Sequence, residues 1–139
     1  MNKELEQLCE IRDYRPKDEA FIMTTFLRGV YYGNSWFSLI PKRIFMENYR
    51  KIAAALLQKP TTTVKVACLK EDPDVILGYS ILSSNFTTVH FVFVKKPWRG
   101  LGLGRALTPA LASQATHLTN LGRILLPKLE SCVFNPFSI

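Results

Sequence analysis

The spacing of apolar residues over positions 1–60 predicts one strand followed by two helices. Residues 8–14 alternate weakly between apolar and polar side chains, which is typical of a strand with one buried face. We expect a first helix from Glu19, capped by Asp18, to about Gly33. A second helix should begin near Pro41, which suits a first helical turn, and end before the next proline. Their apolar stripes are Ile22, Phe26 and Val30, and then Phe45, Tyr49, Ile52 and Leu56.

The second part of the chain shows mainly strand-like runs and a loop. Strands are predicted at 63–69, 75–83 and 89–94, a loop at 95–104, helical pieces at 103–118 and 121–129, and a last short strand at 131–134. Pro109 falls inside the first helical piece and removes a backbone donor there, so we expect a kink or a late helix start. This order of elements predicts an α+β fold, in which helices pack on a mostly antiparallel central sheet.

Composition limits the class of protein. With 139 residues, of which 47% are hydrophobic and 21% charged, the chain is expected to form one domain, residues 1–139. The three cysteines are odd in number and far apart, and with only two histidines they have no zinc spacing. We therefore expect neither a disulfide framework nor a metal site. The polar N-terminus is unlike a signal peptide, and the apolar runs are too short for a bilayer, so a cytoplasmic protein without a membrane partner is expected.

The net charge of +7 is unevenly distributed. Residues 75–139 contain six Lys and Arg side chains against Glu130 alone, and no carboxylate occurs between Asp74 and Glu130. This excess predicts either a solvated basic face or a site for an anionic ligand. It also limits the chemistry, because a carboxylate base must come from the first half of the chain or from Glu130.

The loop that follows the third predicted strand of this region carries three alternate glycines. It reads Trp98-Arg99-Gly100-Leu101-Gly102-Leu103-Gly104-Arg105. Such glycines let the backbone approach a ligand closely, and successive N–H groups ahead of a helix favour a phosphate. A Walker loop would end in Gly-Lys-Ser/Thr, and a dinucleotide fingerprint would separate its last two glycines by two residues, so neither motif fits. The alternative is a tight strand-to-helix turn that needs small residues only for packing.

This loop resembles a known family. The segment Arg99–Gly104 fits the Arg/Gln-x-x-Gly-x-Gly/Ala motif of the GNAT acyltransferases, the Gcn5-related N-acetyltransferases, and residues 90–94 resemble their fourth strand. The resemblance covers about residues 8–118 and implies a GNAT-like fold with helices on both faces of the sheet. Because the chain ends at Ile139, the C-terminal strands of that fold should be missing or shortened. The small size, the Trp36 loop and the Asn135-Pro136 ending resemble short GNAT proteins of phages and prophages.

The resemblance implies acetyl-coenzyme A as the cofactor and an N-acetyltransferase as the function. The pyrophosphate would lie on the loop amides from Leu101 to Arg105, and the pantetheine arm would pair with the strand edge from Phe93 to Lys95. The N–H of Val94 would polarise the thioester carbonyl, and an amine of a small molecule or peptide would attack directly. The implied cofactor-binding residues are Phe93, Val94, Lys95, Arg99, Gly100, Leu101, Gly102, Leu103, Gly104 and Arg105.

An alkylammonium acceptor must lose a proton before it attacks, so the reaction needs a base or a chain of waters. The family often has a glutamate early in its fourth strand, whereas residues 87–89 contain no acid. His90 is the predicted catalytic base, because its ordinary pKa suits the task and the two-residue period of a strand puts it on one face with Val92 and Val94. The alternatives are water, or Glu47 on the second helix, with His90 only packed in the sheet.

Several aromatic residues are candidates for secondary roles. Many family members use a C-terminal tyrosine to protonate the departing thiolate, and the substitutes in this chain are Tyr31, Tyr32 and Tyr79. Tyr31, Tyr32, Trp36 and Phe37 can form the wall of an acceptor pocket, or they can belong to ordinary core and loop packing.

Two rival functions stay open at this point. One is a GNAT-like domain that binds coenzyme A or a protein partner without catalysis. The other is a nucleic-acid-binding protein, which is less favoured because four of the six C-terminal cations flank the glycine loop. The apolar segment 132–139 predicts a homodimer through an open sheet edge, unless Pro136 turns the tail back on its own edge.

Overall fold

Six strands make one sheet in the order of the chain. The computed structural model describes residues 2–117 and 132–139. The strands are β1 (Cys9–Asp13), β2 (Thr62–Leu69), β3 (Ile76–Ser83), β4 (Thr88–Val94), β5 (Gln114–Ala115) and β6 (Val133–Phe134). The helices are α1 (Lys3–Leu8), α2 (Glu19–Tyr32), α3 (Lys42–Gln58) and α4 (Leu103–Leu107), with 3-10 turns at Pro16–Asp18, Phe37–Leu39, Lys96–Trp98 and Pro136–Ser138.

Strands β2, β3 and β4 form an antiparallel meander with β1 paired antiparallel at its edge, and the last two strands are short and parallel. Neighbouring strands from β1 to β4 all pair antiparallel. β5 pairs parallel with β4, and β6 pairs parallel with β5, over two residue pairs each. The parallel β4–β5 pair requires a crossover connection, which the glycine loop and α4 provide. The mostly antiparallel sheet and the shortened C-terminal strands that the sequence predicted are both confirmed.

Helices cover both faces of the sheet, as predicted. On one face α2 and α3 bury Phe26, Val30 and Phe45 against alternate residues of β2, β3 and β4, such as Tyr79 and Phe91. On the other face α1 and α4 bury a smaller cluster made of Leu5, Cys9, Ala67, Leu77, Leu103 and Leu107. The alternation of side chains along β2 and β3 serves these two cores in turn, which is why the two strands read as nearly continuous apolar runs.

A buried ion pair fastens the start of α2 to the sheet. The guanidinium of Arg12, on β1, donates to both carboxylate oxygens of Asp18 at 2.8 and 2.9 Å and also to the carbonyl of Pro73 in the β2–β3 turn. The Asp18 carboxylate accepts a further bond from the Arg15 N–H. The sequence predicted that Asp18 caps α2. Its side chain makes no capping hydrogen bond, because Arg12 and Arg15 occupy its carboxylate.

The predicted helix over residues 103–118 is wrong. α4 ends at Leu107, and Thr108 is extended because a residue before proline is pushed out of the helical region. The chain reaches β5 only seven residues beyond α4, so Pro109 ends the helix instead of kinking it. The helical piece predicted at 121–129 lies outside the described residues. The last strand is found at Val133–Phe134, within the predicted range, whereas α1 was not predicted.

The ion pair gives a stability prediction. Replacing Arg12 by Ala leaves the Asp18 carboxylate buried without its partner, so we expect a loss of about 3–5 kcal/mol in the free energy of unfolding. Arg15→Ala is the control, because the Arg15 side chain is half exposed and its ion pair with Asp74 is long, with an N–O distance of 3.9 Å. It should cost less than about 1 kcal/mol. Urea unfolding at pH 7 measures both, and equal losses would show that the buried pair contributes no more than a surface pair.

Candidate functional site

The carboxyl half of β4 has a strand on one side only. The Lys95 N–H donates to the Leu77 carbonyl at 2.8 Å, so the backbone of Lys95 faces β3. The hydrogen-bonding direction alternates along an antiparallel strand, so the N–H and C=O groups of Val92 and Val94 point away from β3. On that side β5 pairs only with the first two residues of β4. Within residues 2–117 and 132–139, the edge of β4 beyond this pairing has no strand beside it.

His90 lies at the point where β4 and β5 part. Ile81 of β3 pairs with Phe91 of β4, and the next residue, Leu82, pairs with Val89. His90 is therefore the extra residue of a β-bulge. A bulge interrupts the two-residue alternation, so the predicted face of His90, shared with Val92 and Val94, does not follow from the strand period. The residue is only 4% exposed.

A chain of hydrogen bonds leads from His90 to α3. His90 Nδ1 bonds to Thr116 Oγ1 at 2.9 Å, and the same oxygen bonds to His117 Nδ1 at 2.9 Å. His117 Nε2 then bonds to the hydroxyl of Tyr49, and the His117 ring packs edge-on against Phe26. Sequence reasoning missed Thr116 and His117 because it assigned both to a helix. No local signal links them to Tyr49, which is 68 residues away in the chain.

Burial keeps these imidazoles neutral. Burial and then the positive charge of Lys59 lower the pKa of His90 to about 4. Burial and then the neighbouring His90 lower the pKa of His117 to about 4, against a backbone hydrogen bond to His90 that acts in the opposite direction. Burial raises the pKa of Tyr49 to about 12. At neutral pH the chain therefore consists of uncharged groups that can each donate and accept a proton.

The three positions of the loop are occupied by glycine for different physical reasons. Gly100 and Gly102 have φ angles of +79° and +86°, in the left-handed region that other residues rarely adopt. Gly104 has no such angle, and a Cβ there would lie 3.8 Å from a Val94 methyl group, which is ordinary contact. A tight turn therefore explains the first two glycines but not Gly104, whose missing side chain leaves space beside β4.

The remaining predicted binding residues surround this loop. The Arg99 Nε donates to the Val94 carbonyl at 2.8 Å, so its side chain lies along the open edge of β4. The Lys95 ammonium lies 5.0 Å above the Phe21 ring. Leu101 and Leu103 anchor the loop in the smaller core, while Arg105 is exposed. Residues 93–105 are thus brought together, and His90 lies three positions before them, about 10 Å along an extended strand.

The aromatic candidates separate into two groups. Tyr31 is buried and donates to a backbone carbonyl at 2.7 Å, and Tyr79 is buried and bonded to the hydroxyl of Thr25 at 2.7 Å. Both phenols therefore have internal partners. Tyr32 and Trp36 are exposed, Phe37 is half-buried, and Glu47 stands on the exposed face of α3. The predicted acceptor wall is therefore divided between core and surface.

Comparison with known proteins supports the fold alone. No family model and no curated protein matches the sequence. Among solved structures, a proposed acetyl transferase from Pyrococcus furiosus matches with a TM-score of 0.59 and 16% identity, over 91% of this chain and 81% of that one. The chain has the GNAT fold.

Two further structures match with lower TM-scores. A proposed GNAT-family acetyltransferase from Staphylococcus aureus has a TM-score of 0.49 and 13% identity, over 70% of this chain and 82% of that one. A GCN5-related N-acetyltransferase from Rhodopseudomonas palustris has a TM-score of 0.48 and 19% identity, over 72% of this chain and 61% of that one.

The GNAT-like architecture predicted from the sequence is confirmed by the fold, while the likeness to phage-type members stays a prediction. In the described parts of the chain, no helix is long and apolar enough to cross a membrane.

The buried histidines predict a pH dependence of stability. Their pKa in the folded protein, about 4, is below the ordinary value of 6.5, so the unfolded chain binds more protons between these values. The contribution of the two histidines to the free energy of unfolding should therefore be constant above pH 7 and fall as the pH drops from 6.5 towards 4, by up to about 3 kcal/mol for each histidine. Denaturant unfolding between pH 4.5 and 7.5 measures this loss. His117→Gln should reduce its slope, and an unchanged slope would contradict the assignment.

Proposed function

We propose that this protein is a GNAT-type acyltransferase that transfers an acetyl group from acetyl-coenzyme A to an amine. The observation that carries the proposal is the open edge of β4 running directly into a loop that keeps a glycine at position 104. Neither backbone conformation nor a neighbouring side chain requires that glycine, which costs about 1 kcal/mol in a helix relative to alanine. A ligand that passes close to the backbone gives it a reason.

The residues present fit this cofactor. An extended pantetheine arm needs backbone groups on a free strand edge, and Val92 and the N–H of Val94 offer them on the side away from β3, while the Val94 carbonyl already accepts from Arg99. A pyrophosphate needs amide groups and cations, and the loop supplies its N–H groups together with Lys95, Arg99 and Arg105. α4 has only five residues, so its dipole contributes little and the loop amides and cations must supply most of the affinity.

The chemistry assigned to this chain is positioning and proton removal. The cofactor would supply an activated thioester. The Val94 N–H is the predicted donor to its carbonyl oxygen, and Val92, on the same edge and two residues nearer His90, is a second donor of the same direction. His90 would accept the proton that the attacking amine must lose. The departing thiol has an ordinary pKa of about 8.5, so it needs no dedicated acid.

A binding domain without catalysis is the second candidate. Its support is the burial of His90, which makes the imidazolium costly and therefore weakens this residue as an isolated base. The two candidates differ in one measurement, the release of free thiol from acetyl-coenzyme A in the presence of a panel of amines. The amine acceptor, whether small molecule or peptide, and the homodimer through segment 132–139 both stay predictions.

The role of Gly104 can be separated from stability. Gly104→Ala should keep or raise the free energy of unfolding, because the position is helical and a Cβ meets no close neighbour. The same change should weaken binding of coenzyme A at least about tenfold, and Gly104→Val more, because each side chain fills the space beside β4. Calorimetric titration measures the affinity, and Ala106→Ser, an exposed change in the same helix, is the control. Unchanged affinity in Gly104→Val would disprove this location of the cofactor.

The charge of Arg99 should contribute to the affinity for coenzyme A, and this contribution should depend on the salt concentration. Arg99→Ala should weaken coenzyme A binding, with a larger loss at 20 mM than at 500 mM salt, because an exposed contact to phosphate is screened. Arg43→Ala, an exposed change on α3, should leave the affinity unchanged. A loss that is the same at both salt concentrations would indicate that Arg99 acts through its bond to the Val94 carbonyl rather than through charge.

A further inference from the structure

We propose that His90, Thr116, His117 and Tyr49 form a proton relay that carries a proton from the cleft between β4 and β5 to α3. The proposal rests on the proposed acetyl transfer for its purpose, because that reaction must remove a proton from an amine. It assigns to Thr116, His117 and Tyr49 a role in positioning and accepting the proton, and reserves contact with the amine for His90.

Geometry supports a continuous path. Three consecutive hydrogen bonds join the four side chains. They run from His90 Nδ1 to Thr116 Oγ1, from Thr116 Oγ1 to His117 Nδ1, and from His117 Nε2 to the Tyr49 hydroxyl. Both ring nitrogens of His117 are used, and the one threonine hydroxyl serves both rings. Nε2 of His90 has no hydrogen-bond partner within the described residues, so one end of the path is left open at the place where β5 leaves β4.

The chain of bonds can point in either of two directions. In the first, Nδ1–H of His90 donates to Thr116, the threonine hydroxyl donates to Nδ1 of His117, and Nε2–H of His117 donates to Tyr49. In the second, every donor becomes an acceptor: Tyr49 donates to His117, His117 to Thr116, and Thr116 to His90. Both arrangements leave all four groups neutral, and they differ only in which atom holds each hydrogen.

A change from the first direction to the second removes one proton from the amine. The amine nitrogen gives its proton to Nε2 of His90, and the proton on Nδ1 of His90 passes to Thr116 Oγ1. The former threonine proton passes to Nδ1 of His117, the proton of Nε2 passes to the Tyr49 oxygen, and the phenol releases its own proton to water. Each group gains one proton and loses one, so the net result is a neutral amine in the cleft, a proton in the solvent and a relay in the second direction. The hydroxyls and the two ring tautomers must return to the first direction before the next amine is deprotonated.

Burial explains why a relay suits this site better than a single base. A lone His90 would have to carry the positive charge inside the protein, where burial disfavours it. Lys59, at the end of α3, adds a second unfavourable interaction. Among the described residues, the charged or titratable groups that act on the pKa values of the two histidines are Lys59 and His90, and the Lys59 ammonium also donates to the main-chain oxygen of Ile139 at 3.0 Å. A proton that is passed on as it arrives avoids a buried imidazolium, and Tyr49, which is less buried than His90 and Thr116, is the member of the relay that would pass it to water.

The kinetic test uses two variants that remove one hydroxyl each. Tyr49→Phe keeps the ring that stacks on Phe45, and Thr116→Val keeps the shape of the threonine side chain. With acetyl-coenzyme A and a lysine-containing peptide or spermidine as probe amines, each should lower kcat about 10- to 100-fold without changing KM for acetyl-coenzyme A. The double variant should be no slower than the slower single variant, because the relay acts as a unit. Thr25→Val, which removes the hydroxyl of a half-buried threonine outside the relay, is the control and should retain kcat.

A second readout does not depend on activity. In protein with 15N-labelled histidine rings, NMR at pH 7 reports which nitrogen of His90 holds the hydrogen. The wild type should show both tautomers of His90 in exchange. In Tyr49→Phe, Nε2 of His117 loses its partner, which favours hydrogen on Nδ1 of His117, so Thr116 donates to His90 and the hydrogen of His90 should be found on Nε2 alone. Tyr49 is joined to the His90 ring by hydrogen bonds through His117 and Thr116, so this change reports coupling along them.

The outcomes separate the relay from the proposed function. Identical tautomers of His90 in wild type and Tyr49→Phe would overturn the relay, whether or not acetyl transfer occurs. Acetyl transfer with kcat unchanged in both hydroxyl variants would also overturn it. If no amine is acetylated but the tautomer of His90 changes as expected, the proposed function fails, and the relay stands as a proton path between the strand cleft and α3.

Discussion

The arrangement of this site depends on one constraint, which is that β4 is bonded to β3 along its length but to β5 only over its first two residues. β5 begins seven residues after a five-residue helix, and it is only two residues long. The two parallel strands therefore diverge at His90, and the backbone groups of Val92 and Val94 remain on an open edge. An open strand edge favours pairing with an extended partner, and among the described residues no strand pairs with β4 beyond its first two residues on that side.

The rest of the fold keeps this edge in place. Arg12 joins β1, the start of α2 and the β2–β3 turn through Asp18 and the Pro73 carbonyl, so the meander and the helix on it are held as one unit. Burial raises the pKa of Asp18, but the hydrogen bonds from Arg12 and Arg15 outweigh it and lower that pKa below its usual value. The pair thus remains charged at neutral pH, and its several hydrogen bonds offset the desolvation of both groups.

Elements that depend on local pattern were predictable, and elements that depend on distant contacts were not. The strands of the meander and both long helices follow from their periodicity, and the glycine loop from its spacing. The helix at 103–118 was wrong because the apolar spacing continues past Pro109, whereas the backbone cannot. The face of His90 was not predictable because a bulge leaves no mark in the sequence. The bonds between His117 and Tyr49 depend on packing between β5 and α3, which only the tertiary structure shows.

Positive charge is found both beside the glycine loop and near the buried His90. Residues 75–117 contain no carboxylate, although Lys95 lines a cavity together with Asp18 and Asp74. The excess of cations around the loop favours an anionic ligand. At His90 it is the charge of Lys59 that disfavours an imidazolium, in addition to the larger effect of burial. A carboxylate base would avoid that conflict but would compete with the anion for the cations. A neutral base that passes its proton on is compatible with both requirements, because it removes a proton from the amine without a lasting charge of either sign. Under the proposed relay, the stretch 75–117 without carboxylates and the burial of His90 are consistent features of one site rather than two separate defects in it.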